Sequence, residues 1–194
     1  MRKATLNPEP MNLNNLFLIG YRCTGKTTVG RCLAEDLGWL FIDTDSLIVI
    51  QQQMSIKEIV GAYGWEKFRQ MERAMLKTVC ASRRQVVATG GGIVLNEDNV
   101  KLMKKSGKTI WLKATYETIK NRMIQDKDSQ DFRPALTLND SLLEIEETLQ
   151  SRAPLYQKAL DLFVDTDEND IHAITNIIIE KLNSIYPTFF DARR

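Results

Sequence analysis

With one histidine, three cysteines and five prolines in 194 residues, the chain has little from which to build several common kinds of site. Cys23, Cys32 and Cys80 are odd in number, form no C-x-x-C pair and have no histidine cluster beside them. That argues against a disulfide framework and against a zinc centre. Reduced thiols of a cytoplasmic protein are the simplest account, with Cys32 and Cys80 as small core fillers. Charge of one sign is also missing: 26 basic side chains face 25 acidic ones. The broad positive field that nucleic-acid binding draws on is therefore absent. No apolar run nears the ~18 residues of a membrane span, and the polar first fifteen residues lack the apolar core of a secretory signal. What remains is a cytoplasmic protein with no nucleic-acid or membrane partner, expected to act as a monomer on a small anionic ligand. At 43% apolar composition, the chain is long enough to bury one real core as a single domain.

What is present centres on Leu16-Phe17-Leu18-Ile19-Gly20-Tyr21-Arg22-Cys23-Thr24-Gly25-Lys26-Thr27-Thr28. An apolar run breaks into a glycine-flanked turn, and Val29, Cys32, Leu33 and Leu37 follow at helical spacing. Strand, loop and helix in that order are the context that a GxxxxGK[ST] phosphate loop requires. Gly20 and Gly25 permit the tight turn, backbone amides can face a β-phosphate, Lys26 can reach the β/γ oxygens, and the Thr27 hydroxyl can ligate Mg²⁺. Cys23, Thr24, Gly25, Lys26, Thr27 and Thr28 are thus the nucleotide-binding candidates. The plain alternative is an ordinary strand-to-helix turn.

Further along, short apolar runs alternate with helical patterns. Strands are predicted at 39–42, 85–88, 109–112 and 162–164, and helices at 64–82, 96–105, 115–125, 141–160 and from about 171. Ser55 with Glu58 reads as a capped helical turn. Alternation of this kind implies an α/β fold with a mainly parallel sheet covered on both faces. Residues 126–134 are polar, unpatterned and closed by Pro134, hence a surface loop.

Several polar clusters fall at predicted strand ends. Asp43 and Asp45 stand two apart, a spacing that aims both carboxylates the same way if strand geometry persists. One could order the water shell of Mg²⁺ while the other takes or orients a hydroxyl proton; the alternative is a helix N-cap. Arg69 and Glu72 sit at i, i+3, either a surface pair or an arginine fork braced by a carboxylate. Gly90, Gly91 and Gly92 follow a buried strand, which suits either a sharp turn or close approach of a ligand to backbone. Arg133 could swing onto a phosphoryl group or stay solvated, and Arg152 could bind an anion or decorate a helix end. His172 stands away from every cluster and reads as structural. Asp165, Asp167, Glu168 and Asp170 suit the positive end of the last helix.

Taken together and in order, these pieces resemble the shikimate kinase family, small P-loop kinases of the aromatic amino-acid pathway, over about residues 16–186. The match rests on the phosphate loop, Phe41-Ile42-Asp43-Thr44-Asp45, Phe68-Arg69 with Glu72, Ala88-Thr89-Gly90-Gly91-Gly92, Arg133-Pro134, and Arg152 with Tyr156. The resemblance implies transfer of the ATP γ-phosphoryl group to the 3-hydroxyl of shikimate, giving shikimate 3-phosphate and ADP. It also implies a five-stranded parallel sheet of order 2-3-1-4-5, as in nucleoside-monophosphate kinases, within one domain at 15–188. A mobile lid is expected at about 126–138, a disordered extension at 1–14 and a tail at 189–194.

Roles follow from the same resemblance. Asp45 would bind substrate hydroxyls and serve as the base or orienting group, with Lys26 and Arg133 on the phosphates. Thr27 and, through water, Asp43 would hold Mg²⁺; Arg69 and Arg152 would clamp the shikimate carboxylate; Gly91 would offer backbone to the ring hydroxyls. The chain departs from the family's usual Gly-Glu ahead of the Phe-Arg pair, having Gly64-Trp65-Glu66, and has Ile48-Val49 where Ile-Glu is common. A kinase for another hydroxylated acid, such as gluconate, would share the loop and lid but has less reason for the Asp-Thr-Asp, Phe-Arg and triple-glycine set together. A silent descendant acting as a nucleotide-gated binding module should have lost Lys26, Asp45 or a clamp arginine, and none is lost.

Overall fold

Five short strands, β1 (Asn15–Ile19), β2 (Leu40–Asp43), β3 (Gln85–Ala88), β4 (Gly107–Lys113) and β5 (Leu162–Asp165), form one parallel sheet of order β2-β3-β1-β4-β5. The computed structural model describes residues 15–125 and 142–190. The expectations for 1–14, for the lid with Arg133 and for 191–194 lie outside the described residues. β1 is central, and all five of its residues are buried, as a strand covered on both faces must be. Leu40 on β2 and Phe163 on β5 are exposed, because these are the sheet's two edges.

Alternation along the strands sorts the core into two layers. Leu16 and Leu18 of β1, with Val86, Ile110 and Leu112, pack under α1 (Lys26–Leu37) and a last helix formed by Ile171–Ile185. Phe17, Ile19 and Val87 point the other way, under Leu76, Val79, Met103 and Tyr156. Those side chains belong to α3 (Ile56–Cys80), α4 (Glu97–Ser106) and α6 (Leu142–Ala159). Two more helices, α2 (Thr44–Gln52) and α5 (Tyr116–Gln125), lie at the carboxyl ends of β2 and β4; the last helix is α7. Truncating a fully buried member such as Leu33 or Leu76 costs about 2–5 kcal/mol.

Residues 46–50, left without an assignment by pattern, belong to α2. The capped turn and the helix after it merge into α3, which breaks at Gly64 (φ 78, ψ 166). The predicted capping box holds, with Ser55 and Glu58 each accepting from the other's backbone N–H. Phe189 and Phe190, placed by sequence in a tail, pack against Trp39 with ring centroids 6.1 and 6.0 Å away. Phe189 is buried. Asp170 caps α7 as expected, accepting from Ala173 N at 2.8 Å, whereas Asp167 binds the amide of Thr115 ahead of α5.

Candidate active site

The carboxyl ends of β1, β2 and β3 are neighbours in the sheet and each releases one cluster picked out above. That is where open parallel sheets place ligands. The loop after β1 turns through Cys23 (φ 60) and Gly25 (φ 88), both left-handed, a conformation that gathers successive amides around one concavity. Thr24 donates its hydroxyl to Tyr21 O at 2.8 Å, and Lys26 donates to Gly20 O at 2.9 Å and Tyr21 O at 2.5 Å. The ammonium thereby lies across the carbonyls of its own loop. No side chain caps the start of α1, so its first amides remain available to an anion.

Strand geometry does not persist through the two aspartates. β2 ends at Asp43, and α2 begins at Thr44. Asp43 is an N-cap, its Oδ1 accepting from Ser46 N at 3.1 Å, while its Oδ2 accepts the Thr27 hydroxyl at 2.8 Å. The cap and the contact with Thr27 are therefore compatible, using one oxygen each. Asp45, in the first turn of α2, is buried and lines a different space.

That space is a pocket walled by Tyr21 and Arg22 of the phosphate loop, Asp45, Trp65, Arg69, Glu72, the three glycines and Arg152. Two of the three glycines have a steric cause within the chain itself. A Cβ on Gly90 would meet Glu72 Oε1 at 2.4 Å and Asp45 Oδ1 at 2.7 Å, and one on Gly92 would lie 2.2 Å from Arg69 Nη1. The site's own side chains are what press against this backbone. The Gly91 carbonyl accepts from Tyr156 Oη at 2.6 Å and from Arg152 Nη1 at 3.4 Å, which ties α6 to the turn. Arg152 therefore lies within α6 and reaches the pocket; it does not decorate a helix end.

Arg69 and Glu72 are no surface pair. Glu72 is 2% exposed and accepts from Arg69 Nη1 through Oε2. Burial pushes its carboxyl up to about 7; Arg69 opposes this and Asp45 adds to it. The Arg69 guanidinium also lies 5.1 Å from the Trp65 ring centroid, within cation–π range. Burial likewise raises the Tyr156 phenol to about 12, against the pull of Arg152, so it stays a hydrogen-bond donor.

A second pocket lies beside the phosphate loop, lined by Thr24, Gly25, Thr28, Arg122, Thr166 and Ile171 among others. Arg122 bonds to Cys23 O at 3.3 Å, Thr166 Oγ1 at 3.2 Å and Thr166 O at 2.6 Å, joining α5, the loop and the chain after β5. Sequence reading passed over Arg122, Trp65 and Tyr156 as individual site residues. Trp65 stood at a departure from the family pattern, which was the available signal. Cys32 is half-buried, not a core filler, with Sγ 3.4 Å from His172 Nδ1; Cys80 is buried.

Comparison with known proteins agrees with this geometry. The family model described as shikimate kinase matches residues 22–183. A shikimate kinase of Thermodesulfovibrio yellowstonii is 41% identical over 80% of this chain and 87% of its own length. One from Moorella thermoacetica is 40% identical over 88% and 95%. A solved shikimate kinase from Acinetobacter baumannii, in complex with shikimate, superposes with a TM-score of 0.83 at 29% identity, covering 90% of this chain and 95% of that one. With the loop, the Arg69–Glu72 pair and the glycine turn in one pocket wall, the chain belongs to the shikimate kinase family.

Proposed function

We infer that this chain transfers the γ-phosphoryl group of ATP to the 3-hydroxyl of shikimate, giving shikimate 3-phosphate and ADP. One observation carries the assignment of roles: Tyr21 and Arg22 of the phosphate loop share a pocket with Asp45, Arg69 and Arg152, so an acceptor there lies against the phosphates.

The pocket has a cationic end and an anionic one. Arg69 and Arg152 receive the shikimate carboxylate, since guanidinium forks match a carboxylate's two oxygens. Asp45 receives the ring hydroxyls, orients the 3-hydroxyl and takes its proton as the oxygen attacks. Gly91 supplies backbone to the neighbouring hydroxyls. Lys26 leaves the carbonyls of Gly20 and Tyr21 for the β/γ oxygens, where it offsets charge on the phosphoryl group in transfer. Arg133 joins it from the lid. The second pocket, beside Thr24 and Arg122, takes the nucleoside of ATP.

Thr27 and Asp43 would hold Mg²⁺. Their oxygens, 2.8 Å apart at the loop, are the hard donors this ion prefers, and it commonly takes only one or two protein ligands beside water and phosphate. Mg²⁺ held there would supply positive charge that offsets the charge of the transferring phosphates. Among the described residues no helix is long and apolar enough to cross a membrane. A coupled ADP-release assay tests the reading. Turnover should require shikimate and Mg²⁺, and a clear preference for gluconate would overturn it.

A further inference from the structure

Glu72 is a buried acid that the reaction above does not use. Its Oε2 is engaged by Arg69, but Oε1 has no hydrogen-bond partner among the described residues. Oε1 and Asp45 Oδ1 both lie within 2.7 Å of the position a Gly90 Cβ would take, so the two oxygens are at most about 5 Å apart. Two carboxylates this close, in a wall that excludes water, disfavour double ionisation. Among the described residues, the charged groups facing Glu72 are Arg69 from its own helix, Asp45 from α2 and Arg152 from α6; the glycine turn brings none.

The two cations that hold Glu72 ionised are those assigned to the substrate carboxylate. We propose that Glu72 takes up a proton when shikimate docks on Arg69 and Arg152, so that acceptor binding and protonation are linked. This rests on the clamp reading above. A bound carboxylate brings a negative charge to the pair and shares the cations' field, leaving ionised Glu72 with Asp45's repulsion and less to offset it. The neutral carboxylic acid relieves the repulsion and gives Oε1 or Oε2 a proton to donate. The proton comes from solvent buffer and returns to it when product leaves. Burial has already brought the acid near neutrality, so the uptake falls in the range where the enzyme works.

By linkage, a ligand that favours the protonated form binds more weakly as pH rises through the free group's pKa. Calorimetric titration of shikimate at pH 7.5, in buffers of different ionisation enthalpy, counts the protons. The wild-type chain should take up roughly 0.2–0.5 proton per shikimate, and its Kd should rise several-fold between pH 6.5 and 8.5. Glu72→Gln, a neutral isostere, should show neither uptake nor that slope, with folding checked by its melting transition. Binding with no proton uptake in the wild type overturns the proposal, and so does uptake that persists in Glu72→Gln. Should the variant fail to fold, the ¹³C carboxyl resonance of Glu72 in the wild type decides: it should move toward its protonated position when shikimate binds, and an unmoved resonance overturns the proposal. Failure of the clamp is seen separately, as unchanged shikimate affinity in Arg69→Lys.

Discussion

The Tyr156 hydroxyl donates to the carbonyl of Gly91 at 2.6 Å, across 65 residues of chain, and fixes the glycine turn against α6. The phenol is buried and stacks on Trp111 with ring centroids 5.5 Å apart. Tyr156→Phe keeps that packing and removes only the donor. It should destabilise the fold by about 1–3 kcal/mol and raise KM for shikimate more than KM for ATP. Denaturant melts and steady-state kinetics measure both; equal changes in the two KM values would detach the turn from the acceptor pocket.

Alanine in the glycine turn tests its steric role. Gly90→Ala would press a methyl group onto Glu72 and Asp45, and Gly92→Ala onto Arg69. Overpacking of this sort costs about 1–3 kcal/mol, and both variants should lose at least roughly tenfold in kcat/KM for shikimate. Nucleotide affinity, measured by displacement of a fluorescent ATP analogue, should change little.

How much of this was legible beforehand differs from residue to residue. The phosphate loop and the sheet around it rest on short-range pattern, an apolar run followed by glycines and helical spacing, and the structure keeps both. Asp43 and Asp45 were found, but strand alternation does not relate them, because β2 ends at Asp43, two residues short of Asp45, and α2 takes over. The glycine run was found, but the side chains that crowd Gly90 and Gly92 were not, because they come from residues 45, 69 and 72, far away in sequence. Arg122 makes its contacts to positions 23 and 166, separations that no local pattern carries.

Trp65 offers a spectroscopic report. It lines the acceptor pocket and covers Arg69, while Trp39 lies with Phe189 and Phe190, outside that pocket. Adding shikimate should change tryptophan emission in the wild type and in Trp39→Phe, and the change should be largely lost in Trp65→Phe. A response that survives Trp65→Phe intact would place the acceptor elsewhere.

Glu72 also sets a pH dependence of stability. Its carboxyl titrates near 7 when folded against 4.5 for the reference acid, so the native state binds the extra proton between those values. Stability from this group is present below about pH 4.5 and is lost as pH rises through 7. In denaturant melts at pH 5 and pH 8, Glu72→Gln should gain on the wild type by roughly 2–3 kcal/mol at the higher pH. A difference that does not vary with pH would show that Glu72 carries its charge in the fold at no cost.

Asp45 and the arginine clamp together make a claim about chemistry that binding alone does not reach. Asp45→Asn should abolish turnover while leaving nucleotide binding nearly intact, because the proton acceptor is lost and Asp45 lines the acceptor's pocket, not the one beside Thr24 and Arg122. The most direct test is identification of the product by phosphorus and proton NMR after incubation with ATP, Mg²⁺ and shikimate. The account predicts a phosphomonoester on the 3-hydroxyl, formed in step with ADP; ADP release without it, or a phosphate on another hydroxyl, would contradict it.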